Sequence, residues 1–160
     1  MISAIANANP HSVKSLGVSI EVIWLTEANV AGAGKFQGEI AKQLAERGFG
    51  ALSVLSELEV TTITGGKCEA SGAAISGEMS ARMQIQHSGD NIVLDLEVQA
   101  EHSISDKRGS DITFSTTLTT PLDRWIVFGV AQRQSKASAE GARAKDHFLI
   151  RVKEQTPLRP

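Results

Sequence analysis

From residue 17 onward, apolar side chains recur mostly at every second position, the period of a strand with one covered face. In "GVSIEVIWLTE" (17–27), Val18, Ile20, Val22 and Trp24 share one face, and Ile23 and Leu25 fall on the other. Both sides of that strand are expected to be at least partly covered. The clearest unit is "GEMSARMQIQHSGDNIVLDLEVQAEH". Met79, Ala81, Met83 and Ile85 alternate with polar residues up to "SGD"; Ile92, Leu94, Leu96 and Val98 do so after it. Two such runs about a tight turn predict a hairpin with one apolar and one mostly polar face. "ITFSTTLTTPLDRWIVFGVAQRQ" (112–134) reads as a second hairpin. Ile112, Phe114, Thr116 and Leu118 face one way and "TTPLD" turns. Trp125, Val127 and Gly129 then alternate with Ile126, Phe128 and Val130.

The remaining segments are less regular. "ALSVLSELEVTTIT" predicts one long bent strand or two short ones, and "GG" at 65–66 a turn. "KCEASGAAI" predicts a strand of small residues, and "DHFLIRVKE" (146–154) a last strand with Phe148, Ile150 and Val152 on one face. One stretch changes period. In 28–50, Phe36, Ile40 and Leu44 recur every four residues, with Lys35, Glu39, Lys42 and Glu46 toward the other side. This predicts an amphipathic helix over 35–47, of about three to four turns, stopped by Gly48 and Gly50. Residues 1–16 read as a flexible lead, 17–154 as a single domain and 155–160 as a tail. Residues 103–111 predict a charged loop. Residues 133–145, with Arg133, Lys136, Arg143 and Lys145, predict a mobile basic loop that is solubilising, or else one that contacts an acidic partner or phosphates.

The predicted class is α+β: a mainly antiparallel sheet of about seven to eight strands, or a two-layer β arrangement, with one amphipathic helix packed on it. The chain's 160 residues suffice for a core without staples. A formal charge of -2 gives no electrostatic reason to expect nucleic acid or an anionic membrane as partner. With no Tyr, two Trp and five Phe, a base-stacking surface is not expected either. No apolar run is long enough for a transmembrane helix. "MISAIANANPHSVKS" lacks a basic n-region and a long apolar core, so it does not read as an intact signal peptide.

Candidate chemistry is sparse. The single cysteine, Cys68, cannot form an internal disulfide, and no Cys/His spacing suggests zinc. Cys68 with one of His11, His87, His102 or His147 could make a thiol enzyme. None carries a local signature, and an inert buried thiol with solvent-facing histidines is the expectation. Asp90, Asp95, Glu97, Glu101, Asp106 and Asp111 read as solvated carboxylates without calcium-loop spacing. "AGAGKF" lacks the spacing of a phosphate loop. No cofactor, metal or catalytic residue is expected.

The order of segments resembles the membrane-channel (C-terminal) domain of the secretins, the ring-forming channels of type II and type III secretion, type IV pili and filamentous phage export. "VSIEVIWLTE" is similar to the strand that opens that domain. "KQLAERGFGALSVLSELEVTTITGGKCEASG" resembles its helix, strand and strand–turn–strand. "MSARMQIQHSGDNIVLDLEVQAEHS" resembles the next hairpin, and "GSDITFSTTLTTPLDRWIVFGVAQRQ" the Thr-rich hairpin leading into an apolar strand. "AKDHFLIRVKEQTP" lies where the last strand would fall. The resemblance covers about residues 18–157. Two departures stand out: 131–145 carries no Pro- and Gly-rich motif, and the gate insertion is shortened to "ANVAGAGKF". The chain reads as a short stand-alone version lacking the N-terminal ring domains and the gate.

The resemblance implies a non-enzymatic β-domain that self-assembles or docks on a protein partner in an envelope assembly. It implies a periplasmic or outer-membrane setting, with membrane contact possible. Backbone pairing between protomers would carry the contacts, with candidate edges at 78–87, 92–101, 112–120 and 124–132. The candidate contact residues are Met83, Ile85, Leu94, Leu96, Phe114, Leu118, Trp125 and Val127. Trp125 reads as a sheet-face or core residue, or else as a lipid-interface anchor. The alternatives are a monomeric binding module of the same fold and an enzyme using Cys68.

Overall fold

The computed structural model describes residues 15–27, 30, 32–75, 77–102, 111–134 and 143–155. Its elements run β1 (Gly17–Thr26), β2 (Gly34–Lys35), α1 (Glu39–Glu46), β3 (Ser53–Ile63), β4 (Lys67–Ala74), β5 (Gly77–Ser88), β6 (Asn91–His102), β7 (Asp111–Pro121), β8 (Ile126–Gln134) and β9 (Arg143–Glu154). They form two antiparallel sheets, one in the order β2-β3-β1-β9-β8 and the other β4-β5-β6-β7. This is the mainly antiparallel α+β class that the alternation predicts, in its two-layer form.

The core lies between the sheets because each supplies an alternating apolar face. From the five-stranded sheet come Val18, Ile20, Val22 and Trp24 of β1, Leu55 and Leu58 of β3, and Phe148, Ile150 and Val152 of β9. The four-stranded sheet answers with Met79, Ala81, Met83 and Ile85 of β5 and Ile92, Leu94, Leu96 and Val98 of β6. Trp24 and Phe148 stack with ring centroids 5.7 Å apart. The buried Trp24 indole N–H donates to Asp146 Oδ2 at 3.0 Å, so the largest core side chain keeps its polar atom satisfied. β1 and β9 are central strands and are covered on both faces. Their opposite faces put Ile23, Leu25 and Leu149 into a second cluster with Leu44 and Leu52.

Turn chemistry fixes the β5–β6 register. Ser88 pairs with Asn91 around a two-residue Gly89-Asp90 turn, with Gly89 at φ 61°. A left-handed residue there suits glycine and matches the strand twist.

Three expectations need correction. First, β7 and β8 are not a hairpin. β7 pairs with β6 and β8 with β9, so the chain leaves one sheet at Pro121 and enters the other at Ile126. β8 also breaks its own alternation. A bulge between Val127 and Gly129 leaves Phe128 and Gly129 opposite Phe148, so Gly129 faces the core and Val130 is exposed. Second, α1 spans eight residues and buries only Leu44; Ile40 and Phe36 are half-buried. It ends as expected, at Gly48 with φ 91°. Phe49 N–H donates to Leu44 O and Gly48 N–H to Ala45 O, satisfying the last carbonyls. Third, residues 133–145 are not one basic loop. β8 runs on to Gln134 and β9 begins at Arg143, with Arg133 opposite Ala144 and Gln132 opposite Lys145. Arg133, Arg143 and Lys145 therefore lie in paired strands, and Lys136 lies outside the described residues. So do residues 1–14 of the expected lead, 103–110 of the charged loop and 156–160 of the tail. Leu16, at the end of the lead, is tied down: its N–H donates to Thr64 Oγ1 and its carbonyl accepts from Thr64 N–H, both at 2.9 Å.

Candidate assembly interface

A sheet that ends without a partner presents a row of backbone donors and acceptors, which a further chain can pair with. Among the described residues both sheets end in this way. At one margin of the sandwich β7 and β8 are the last strands; at the other β4 is last, and β3 is followed only by the two-residue β2. Among the described residues β7 is the longest edge without an outer partner. From Ile112 to Pro121 it carries no charged residue, and five of its positions are threonine. Pro121 at its end suits an edge strand, where a missing N–H leaves no ladder bond unmade.

A glycine draws the two sheets together at each margin. At Gly129, an added Cβ would fall 2.7 Å from Phe114 Cε1 and Cζ, so the ring lies directly on the β8 backbone. Phe114 also meets Phe148 edge-on at 4.9 Å and Phe128 at 6.1 Å. At Gly72 the added Cβ would fall 2.7 Å from Leu58 Cδ2, which lets β4 close on β3. That margin is also stitched by Ile75 N–H to Leu55 O at 2.9 Å and Ser56 Oγ to Ala73 O at 3.0 Å. The β7–β8 margin therefore presents two strand edges side by side, one from each sheet. The β3–β4 margin is bonded to itself at Leu55–Ile75 and Ser56–Ala73 and covered by β2 at Ser53 and Val54, leaving only the rest of its two edges.

The two margins differ in sequence. An interface that joins unlike margins is heterologous, and its repetition gives a ring or an open filament rather than a closed dimer.

The outer faces are less suited to contact. The free face of the four-stranded sheet is polar. It holds an Arg82–Glu69 pair at 3.7 Å and a Thr117–Asp95 hydrogen bond at 2.7 Å. Its Glu78, Glu101 and Asp111 sit in one row across β5, β6 and β7. On the outer face of the five-stranded sheet, α1 lies over part of the second cluster. Glu21 there is gripped by Arg151 at 2.7 Å and Lys153 at 2.5 Å. Burial alone would raise the Glu21 pKa; the two cations outweigh it and hold the carboxyl below its usual range.

The structure separates the expected contact residues. Met83, Ile85, Leu94 and Leu96 are 4%, 0%, 0% and 2% exposed, inside the chain's own core. A partner cannot reach these side chains without opening the sandwich, which corrects their reading as contacts. β5 and β6 are interior strands, each paired on both sides, so 78–87 and 92–101 are not edges either. Phe114 and Leu118 are half-buried on the inner face of β7, at the open margin. Trp125 and Val127 are half-buried on the outer face, against the second cluster, with the Arg151 guanidinium 4.5 Å above the Trp125 ring.

The histidines and the thiol also separate. His87 is exposed as expected. His147 is not solvent-facing: it is 3% exposed, on the covered outer face of central strand β9. Its spacing from Leu149 was the available signal. His11 lies outside the described residues. Cys68 is half-buried, and burial pushes its thiol pKa up, away from the reactive thiolate.

No protein-family model matches the sequence, and neither does any curated protein. Solved structures do match. The Salmonella SPI-1 type III secretion injectisome secretin InvG aligns over 91% of this chain at 13% identity and a TM-score of 0.54. The V. cholerae type IV competence pilus secretin PilQ aligns over 91% at 10% identity and a TM-score of 0.55. The secretin of the ETEC pilotin–secretin AspS–GspD complex aligns over 89% at 10% identity and a TM-score of 0.52. The chain spans 63%, 62% and 50% of those three chains, less than two thirds of each. The shared feature is the fold: this chain has the fold found in these secretins.

Proposed function

We propose that this chain is a non-enzymatic, secretin-like β-domain that joins copies of itself side by side, or docks in a secretion, pilus or phage-export assembly of the bacterial envelope. The observation that carries this is the pair of unlike margins at which both sheets end among the described residues, with the β7 edge, uncharged from Ile112 to Pro121, the longest. Charge is one device by which proteins blunt such edges, and β7 carries none between Ile112 and Pro121. The likeness to secretins gives the same direction. One of those matched is held in a complex with a pilotin, so a protein partner belongs to the reading as much as a second copy does. The raised thiol pKa of Cys68 weighs against an enzyme. Among the described residues no group of three metal-binding side chains occurs, and no helix is long and apolar enough to cross a membrane.

Light scattering after size exclusion tests self-assembly. The expected species is many times the 17.0 kDa chain mass. Thr113→Lys with Ser115→Lys, which places two charges on the exposed side of β7, is expected to dissociate it while leaving the fold intact by circular dichroism. A second reading, a monomeric binding module, rests on the observation that Met83, Ile85, Leu94 and Leu96 complete the core within one chain. A 17.0 kDa species that persists at high concentration would select that reading.

A further inference from the structure

His147 is nearly inaccessible, and neither ring nitrogen has a hydrogen-bond partner among the described residues. An unpartnered buried polar group of this kind calls for an explanation beyond packing. The ring is packed against the segment that follows α1: Phe49 meets it edge-on, with centroids 4.6 Å apart. Glu27, just beyond β1, brings Oε1 to 3.6 Å from His147 Nε2, too far for a hydrogen bond. That same oxygen accepts the Gly50 N–H at 2.9 Å. Phe49 N–H in turn closes the end of α1 on Leu44 O. One carboxylate and one imidazole thus sit at the junction that holds the α1–β3 connection to the end of the sheet.

We propose that His147 makes this connection a proton-sensitive latch, docked while the ring is neutral and loosened when the ring takes a proton. A protonated ring has two N–H donors and a charge in a buried seat 3.6 Å from the Glu27 carboxylate. It can draw Glu27 away from Gly50, or it can lift Phe49 to reach water. Either movement breaks a contact that docks the connection.

The charged groups acting on the ring are Glu27 from the β1 side and Asp146 and Lys145 on β9 itself. Phe49 and Gly50 of the connection, and Val130 opposite on β8, bring none. Burial holds the ring below the ordinary histidine pKa, against the upward pull of Glu27 and Asp146. The docked state is therefore fully favoured above about 6.5, the unperturbed value. It is lost as pH falls through the lower, docked value.

Hydrogen exchange of the Phe49 and Gly50 amides between pH 8 and 5, corrected for intrinsic rates, tests this. The opening constant is expected to rise by up to tenfold per pH unit below about 6.5, the slope for one proton, while the core Leu94 amide shows no such rise. His147→Leu, which cannot charge, should flatten the profile. A flat profile in the natural chain, or the same rise in the variant, overturns the proposal. Should the variant not fold, the His147 ring is followed by NMR in the natural chain. Titration at the ordinary value, with no accompanying shift at Phe49 or Gly50, would equally overturn it.

Discussion

Placing a methyl group at Gly129 tests whether the β7–β8 margin is held by the ring of Phe114. A Cβ at this position would meet Phe114 Cε1 and Cζ at 2.7 Å and Cδ1 at 2.9 Å. Ordinary carbon contacts begin near ~3.5 Å, so the ring would have to move by about 0.8 Å. It is not free to do so without loss, because it also packs against the rings of Phe128 and Phe148. Overpacking of this sort costs ~1–3 kcal/mol. Against it stands the smaller unfolded-state entropy of alanine, worth ~0.4–1 kcal/mol where the backbone permits it. Gly129 has no positive φ, so the backbone does permit it. The net expectation for Gly129→Ala is a loss of about 1–2 kcal/mol. With a urea m-value of about 2 kcal/mol per molar, the midpoint falls by ~0.5–1 M. In a Phe114→Ala background the obstacle is gone, and the same substitution is expected to be neutral or stabilising by ~0.4–1 kcal/mol. The double-mutant cycle should therefore show a coupling of 1 kcal/mol or more, within the usual range of about 0.5–3 for residues in contact. An equal effect of Gly129→Ala in both backgrounds, or a raised midpoint in the natural one, would refute the close approach.

Two further outcomes follow from the outer face of the five-stranded sheet. Leu44 is 5% exposed, so Leu44→Ala is expected to cost ~2–3 kcal/mol in urea denaturation. Ile40→Asp, at a half-buried position, should cost clearly less than Leu44→Ala; the reverse order would place the helix on the wrong face. The depressed pKa of Glu21 makes a pH-dependent contribution. Its stabilisation is fully present above about 4.3, the unfolded value. It is lost as pH falls through the lower folded value. Glu21→Gln should flatten the stability profile in that acid window and lower stability at neutral pH, which thermal melts at stepped pH would show.

The alternating runs were legible because burial of one face leaves a period-two record. Met79 to Ile85 and Ile92 to Val98 point inward as that record requires, around a turn that Gly89 makes possible. Trp24 is core for the same reason. What periodicity cannot record is which sheet a strand joins. "TTPLD" reads the same whether it folds a strand back on its neighbour or carries it across to the other layer. The four-residue spacing of Phe36, Ile40 and Leu44 suggests a longer helix than the eight residues, Glu39–Glu46, that are helical. His147 escapes the alternation because a period-two pattern marks one covered face, whereas β9 lies between β1 and β8 and is covered on both sides.

The crossing at 121–126 has a consequence that a hairpin would not. Had β8 paired with β7, the uncharged edge of β7 would have been used up inside the chain. Because β8 joins β9 instead, β7 and β8 end their separate sheets at the same margin, and Gly129 lets them approach. Gly72 does the equivalent for β3 and β4 at the far margin. A strand-interior glycine weakens its own strand, so two of them at the places where the sheets converge mark the margins as built features. The close approach at these two residues brings one strand of each sheet together at each margin; in the assembly proposed above, a neighbour would meet two edges rather than one. On this view the assembling element is the paired margin, not any of the alternating apolar side chains, which the chain has already committed to its own core.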